Sequence, residues 1–171
     1  ADATAADAGQ PKVTQIVRID PEIRYQTMDG WGTDLAWWAG QVGTWSDPVK
    51  QQLMDLIFGD DGLSLNIVRY NIGGSDDPAT TKMHPARKMD TMATGVDENG
   101  NLQFDWSRDA GQRWVLKEAV TNPDYHVNLY DAQVNSPPYW MTISGSGAGN
   151  VSGTEENLAP ENYDLYVDFL I

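Results

Sequence analysis

Cysteine is absent from the 171-residue sequence, which excludes structural disulfides and thiolate chemistry. No apolar run approaches the roughly 20 residues that a membrane-spanning helix needs. Basic residues are scarce, because 11 Lys and Arg stand against 25 Asp and Glu, giving a formal net charge of −14. This balance argues against partners rich in phosphate, so we expect neither nucleic acid nor an anionic membrane as a partner.

The common cofactor and metal motifs are also missing. There is no phosphate-binding P-loop, no His-Glu-x-x-His, no Gly-x-Ser-x-Gly, and no Gly-x-Gly-x-x-Gly after the first strand. His84 and His126 lack the spacing of metal ligands. The acidic run over residues 97–101 superficially resembles a calcium loop, but its glycine is misplaced, so we expect a plain turn. The sequence therefore predicts no cofactor.

Apolar periodicity predicts alternating strands and helices. A β-hairpin or two edge strands are expected over Val13–Asp20 and Glu22–Met28, with a turn at Asp20-Pro21. The remaining elements are strands over Leu63–Ile72 and Tyr125–Val134, and helices over Leu35–Val42, from Ser46 or Asp47 to Gly59, from Asp105 or Ser107 to about Val120, and from Pro160 onward. Such alternation implies βαβ units and a parallel sheet, and the absent dinucleotide motif disfavours a doubly wound sheet.

Three segments combine glycine, aromatic and polar residues: Asp29–Ala39, Leu65–Asp76 and Asn135–Met141. The second and third place such residues at the C-terminal end of a buried strand, where a parallel barrel builds its site. Arg69 is expected to be buried and therefore paired with a carboxylate, either as a structural ion pair or to lower the pKa of a catalytic acid. Asp76 could bind sugar hydroxyls or cap its own loop, and Trp31 and Trp140 could stack on a pyranose ring or belong to the core.

These three segments resemble the corresponding stretches of glycoside hydrolase family 30, in particular its endo-β-1,6-galactanase-like members. The likeness covers essentially residues 13–171. It implies an α/β fold, a (β/α)₈ TIM barrel, of which residues 29–171 form the first three βα units. Residues 13–28 would join a side β-structure, and residues 1–12 would be a disordered lead-in.

The resemblance also implies a function and a set of site residues. It implies a secreted, retaining endo-glycosidase that hydrolyses β-1,6-linked galactan in arabinogalactan side chains. β-1,6-Glucanase, glucosylceramidase and xylanase activities are the alternatives within the family. The substrate-binding positions are Trp31, Arg69, Asn71, Asp76 and Trp140, with Arg69 and Trp140 facing a shared sugar pocket. The small, polar N-terminal residues resemble what signal-peptide cleavage leaves, and an arbitrary boundary is the alternative.

The sequence departs from the family pattern in its glutamates. Retaining enzymes use two carboxyl groups about 5–5.5 Å apart, and in this family they are Glu residues after strands four and seven, the first in an Asn-Glu pair. The sequence has no Asn-Glu pair, and none of its glutamates ends a predicted barrel strand. We therefore expect both catalytic Glu beyond Ile171, on the remainder of the barrel or a companion chain. A non-catalytic carbohydrate-binding or assembly fragment is the alternative from another class.

Overall fold

The computed structural model describes residues 15–79, 82–150, 152–153 and 155–171, so the predicted lead-in over residues 1–12 lies outside the described part. Five strands and four α-helices follow one another along the described chain. They are β1 (Gly32–Asp34), α1 (Trp38–Val42), α2 (Asp47–Phe58), β2 (Ile67–Ile72), β3 (Ala93–Val96), β4 (Leu102–Phe104), α3 (Ala110–Thr121), β5 (Leu129–Val134) and α4 (Tyr163–Leu170). No helix in these ranges is long and apolar enough to cross a membrane.

Three strands form one parallel sheet in the order β1-β2-β5. Arg69 of β2 lies opposite Asp34 of β1 on one side and Asp131 of β5 on the other. Helices α1 and α2 connect β1 to β2, and α3 lies between β2 and β5. The predicted parallel α/β arrangement is thus confirmed for three neighbouring strands of one sheet, whereas closure into eight strands stays a prediction.

The hydrophobic core lies between one face of this sheet and the helices. Val68 and Tyr70 of β2 point into it and pack with Met54 and Phe58 of α2 and with Val115 of α3. Alternation along a strand places Ile67, Arg69 and Asn71 on the opposite face. The sheet therefore has one face covered by helices and one face that carries polar side chains.

The strands predicted over residues 13–28 are not formed in residues 15–28. The turn at Asp20 is present, because its backbone oxygen accepts a hydrogen bond from the Ile23 amide at 3.2 Å. Ile16, Ile19 and Tyr25 are more than four-fifths exposed. An isolated two-stranded hairpin is only marginally stable, and these residues have no apolar surface to pack against in the described chain.

The long segment after β2 contains structure that periodicity did not predict. Strands β3 and β4 pair antiparallel through a tight turn, in which the Asp97 carboxylate accepts hydrogen bonds from the Asn99 and Asn101 amides at 2.9 and 2.8 Å. The acidic run is therefore a hairpin turn, as predicted. Strands of three and four residues are too short to show alternation in sequence, which explains why they were missed.

Candidate functional site

The helix-free face of the parallel sheet carries a polar cavity of about 250 Å³. Its lining comes from all three strands, namely Gly32, Thr33, Asp34, Ile67, Arg69, Leu129 and Asp131. Gly32 is required at this place, because a Cβ there would lie 2.6 Å from the Ile67 backbone oxygen. The cavity is thus bordered by one cation and two carboxylates on adjacent, closely packed strands.

Arg69 is held by two partners on β5. Its Nε donates to the Asp131 carboxylate at 3.3 Å, and its Nη1 donates to the Gln133 side-chain oxygen at 3.1 Å. The predicted pairing with a carboxylate is confirmed, but the predicted burial is wrong, since the Arg69 side chain is 49% exposed. The reason is that no described element covers the sheet at Arg69.

Asp131 and Gln133 were missed from the sequence, although a signal was present. In β5 the polar residues Asp131 and Gln133 alternate with Tyr130, Ala132 and Val134, and this period of two marks one polar face. Alternation alone does not give the strand register. The register Arg69↔Asp131 decides which carboxylate the guanidinium meets.

The loops that follow β2 and β5 are joined at the C-terminal edge of the sheet. The Tyr139 amide donates to the Gly74 oxygen at 2.7 Å, and the Gly147 amide donates to the Ser75 oxygen at 2.9 Å. A Cβ at Gly74 would lie 2.1 Å from the Pro137 oxygen, so only glycine permits this approach. The second and third sequence segments therefore form one connected platform at the sheet edge where both were predicted to lie.

Asp76 lies inside this platform, not on its surface. It is 1% exposed, and its Oδ2 accepts a hydrogen bond from the Met83 amide. Asp76 also forms an isolated antiparallel bridge with Ser146 of the other loop. The carboxylate thus bonds within its own loop, whereas the backbone of Asp76 joins the two loops, and the predicted contact with sugar hydroxyls stays a prediction.

The two candidate tryptophans lie at different ends of the sheet. Trp140 follows β5 at the C-terminal edge, where its half-buried indole donates from Nε1 to the Ala93 oxygen at 2.8 Å. Trp31 precedes β1, and its backbone oxygen accepts from the amides of Asn66 and Ile67 at the start of β2. Trp31, which is 68% exposed, is thus separated from Trp140 by the length of a strand. This geometry does not bring Trp31 to the predicted pocket, since β1 begins after this residue and not before it.

Asn71 lies on the same sheet face as Arg69, two residues nearer the C-terminal edge, and it is 4% exposed. Trp140 is not one of the residues that line the Arg69 cavity. The shared pocket of Arg69 and Trp140 therefore stays a prediction. No group of three or more His, Asp or Glu side chains within the described ranges could hold a metal ion.

Residues 14–171 match the family model described as O-Glycosyl hydrolase family 30. An endo-β-1,6-galactanase from Hypocrea rufa is 30% identical over 172 residues, a match that covers 89% of this chain and 34% of that protein. An exo-β-1,6-galactobiohydrolase from Bifidobacterium longum subsp. longum is 25% identical over 204 residues and is matched over 14% of its length. The chain therefore spans about a third or less of these relatives.

A conserved exported protein from Bacteroides fragilis has a similar solved structure. The superposition has a TM-score of 0.68 with 26% identical residues, and it covers 89% of this chain and 32% of that protein. The likeness in structure thus extends over nearly all of the chain, as the likeness in sequence does.

Proposed function

Because this chain belongs to O-glycosyl hydrolase family 30, we propose that the protein containing it is a retaining endo-glycosidase that cleaves β-1,6-linked galactan. Two relatives of this chain are named for β-1,6-galactan substrates, one acting within the chain and one from its end. The neutral galactan backbone also suits a chain of net charge −14, which would repel a polyanion. The proposal includes secretion, as expected for an enzyme whose substrate lies outside the cell.

The observation that carries the proposal is the Arg69–Asp131–Gln133 cluster on the open face of the parallel sheet. A guanidinium has more N–H groups than its bonds to Asp131 and Gln133 use, so it can bind a further carboxylate. We propose that this carboxylate is the nucleophile of the reaction. Arg69 would keep it ionised, while Asp131 and Gln133 hold the guanidinium in place.

The two reacting carboxyl groups are proposed to come from polypeptide outside these 171 residues. The glutamates in the described ranges lie in loops, in the β3–β4 turn, on α3 or in the short 3₁₀ helix Pro160–Asn162, and none comes directly after the last residue of β1, β2 or β5. A retaining enzyme needs a nucleophile and an acid/base about 5–5.5 Å apart on either side of the scissile bond. In this arrangement, the chain described here supplies the Arg69 cluster and the joined loops, which form one wall of the proposed sugar site.

The first test is an activity assay on the full-length protein. We expect release of oligosaccharides from β-1,6-galactan, with retention of the anomeric configuration in the first product seen by NMR. β-1,6-Glucan, glucuronoxylan and glucosylceramide are the comparison substrates for the alternative activities. Cleavage of one of these instead of galactan would reject the proposed substrate, and an inverted first product would reject the proposed mechanism.

The second test is the substitution Arg69→Lys in the same protein. A lysine cannot bind two carboxylates with the planar geometry of a guanidinium, so we expect kcat/KM to fall about 100-fold. The matched control is Arg108→Lys, because Arg108 makes a similar half-exposed ion pair with Asp105, at 3.4 Å. Each pair should contribute less than about 1 kcal/mol to stability. Equal activity of the two variants would contradict the role proposed for Arg69.

A further inference from the structure

Gln112 is a fully buried polar side chain on α3, with an exposed fraction of 0%. Its side-chain Nε2 donates to the Asn71 backbone oxygen at 2.9 Å, and its Oε1 accepts from the Asn71 amide at 3.1 Å. One side-chain amide therefore satisfies both backbone hydrogen-bonding groups of a single strand residue. This is the pattern that a neighbouring strand would normally provide.

The Gln112 side chain can bond the Asn71 backbone because β1 ends before it reaches this residue. β1 pairs with β2 only as far as Arg69, whose oxygen accepts the last bond, from the Leu35 amide at 2.9 Å. The chain then turns away into α1. Backbone groups alternate in direction along a strand, so those of Asn71 point to the same side as those of Arg69, where β1 no longer runs. Gln112 thus replaces the peptide group that β1 would have contributed next.

Asp109 determines which way the Gln112 amide is oriented. The second hydrogen on Gln112 Nε2 is donated to Asp109 Oδ2 at 2.6 Å, and the Tyr70 hydroxyl donates to the same oxygen. A flipped amide would place its oxygen against the Asp109 carboxylate and the Asn71 oxygen, both of which are acceptors. The three contacts therefore allow a single orientation of the Gln112 side chain.

We propose that Gln112 is a positioning residue of the sugar site and that it acts through Asn71. Asn71 lies two residues after Arg69 on the same face of the sheet, nearer the joined loops, and is 4% exposed. The placement of its side chain depends on the backbone that Gln112 holds. This inference rests on the proposed glycosidase function and adds to it a residue that touches no substrate.

The test compares single and double variants of the full-length protein on β-1,6-galactan. Gln112→Glu keeps the side-chain shape but removes both Nε2 donors, so we expect kcat/KM to fall about 10- to 100-fold. Asn71→Ala should also lower kcat/KM. If Gln112 acts through Asn71, adding Gln112→Glu to Asn71→Ala should cause little further loss, because the two residues work as one unit. Multiplied losses, or wild-type kcat/KM in Gln112→Glu, would overturn the inference.

Gln51→Glu is the matched control. Gln51 on α2 likewise lies beside a tyrosine and an aspartate and donates to both, Tyr125 and Asp55, at 2.8 and 3.4 Å, but it makes no bond to a sheet strand of the described chain. Its kcat/KM should equal that of the wild type even where stability falls. If Gln112→Glu does not fold, Gln112→Met, which is neutral, replaces it in the same comparison. A wild-type protein inactive on every glycan would reject the proposed function and this inference together, whereas an active wild type with additive variants rejects only the inference.

Discussion

At the residue scale, the carboxylates of Asp105, which precedes α3, and Asp109, which is the N-cap residue of α3, lie in opposite environments. Asp105 is half-exposed, and hydrogen bonds from the Ser107 hydroxyl and amide lower its pKa. Asp109 is largely enclosed, and its burial raises its pKa against the opposing effect of the bonds from Tyr70 and Gln112. Hydrogen bonds to the ionised form stabilise Asp105, whereas loss of water dominates at Asp109.

These opposite shifts predict opposite effects of pH on stability. The contribution of Asp109 is fully present below its unfolded pKa of about 3.9 and is lost as pH rises through its higher folded pKa. The wild type should therefore lose stability as pH rises toward neutral, and the Asp109→Asn variant should lose less. The contribution of Asp105 is present above its unfolded pKa and is lost as pH falls through its lower folded pKa. The wild type should therefore lose stability in acid, and the Asp105→Asn variant should lose less. Tm of the full-length variants between about pH 3 and pH 7 measures both, and parallel curves would contradict this assignment.

At the element scale, α1 and α3 approach each other through glycines. A Cβ at Gly43 would lie 2.1 Å from the Gly111 Cα, and a Cβ at Gly111 would lie 2.7 Å from the Gly40 oxygen. The two backbones are therefore in direct contact. This contact fixes the start of α3, which carries Asp109 and Gln112, relative to the end of β1. Helix packing thus places the residues that hold Asn71.

Gly43→Ala should push these helices apart. The new methyl group would meet backbone atoms that cannot rotate away, so we expect a loss of about 1–3 kcal/mol in the free energy of unfolding. Gly40→Ala is the control within α1, because its Cβ would meet only the Met89 side chain, with Cε at 3.6 Å and Sδ at 3.7 Å. That variant should be neutral or up to about 1 kcal/mol more stable, since alanine favours a helix interior. Urea unfolding of the full-length protein measures both, and equal midpoints would show that the two helices are not in contact at Gly43.

At the scale of the whole molecule, the sheet has two free edges in the described chain. The amides of Leu129 and Asn135 donate to oxygens of Asn66 and Ile72, so the odd-numbered amides of β5 point toward β2. The amides of Tyr130 and Ala132 therefore point away from β2. A closed (β/α)₈ barrel requires a fourth strand on this side, whereas a sheet that ends at β5 does not.

Hydrogen exchange in the full-length protein tests this closure. The backbone amides of Tyr130 and Ala132 should exchange slowly, at rates similar to those of Val68 and Tyr70 in β2, because a following strand would bond them. Measurement at single-residue resolution by NMR or by fragmentation in the mass spectrometer separates these amides from their odd-numbered neighbours. Rapid exchange at Tyr130 and Ala132, beside protected odd-numbered amides, would mean that β5 is an edge strand and that the barrel prediction is wrong.

The parallel order of the strands, the helix from Asp47 and the family resemblance followed from the sequence, because apolar periods of 3.6 and 2 and the three segments are local patterns. The exposure of Arg69, its partner Asp131 and the enclosure of Asp76 were decided by the tertiary structure, since they depend on strand register and on which face a helix covers. The separation of Trp31 from Trp140 depends on where β1 begins. Gln112 was invisible in sequence, because a buried glutamine on a helix has meaning only beside the strand end that it completes.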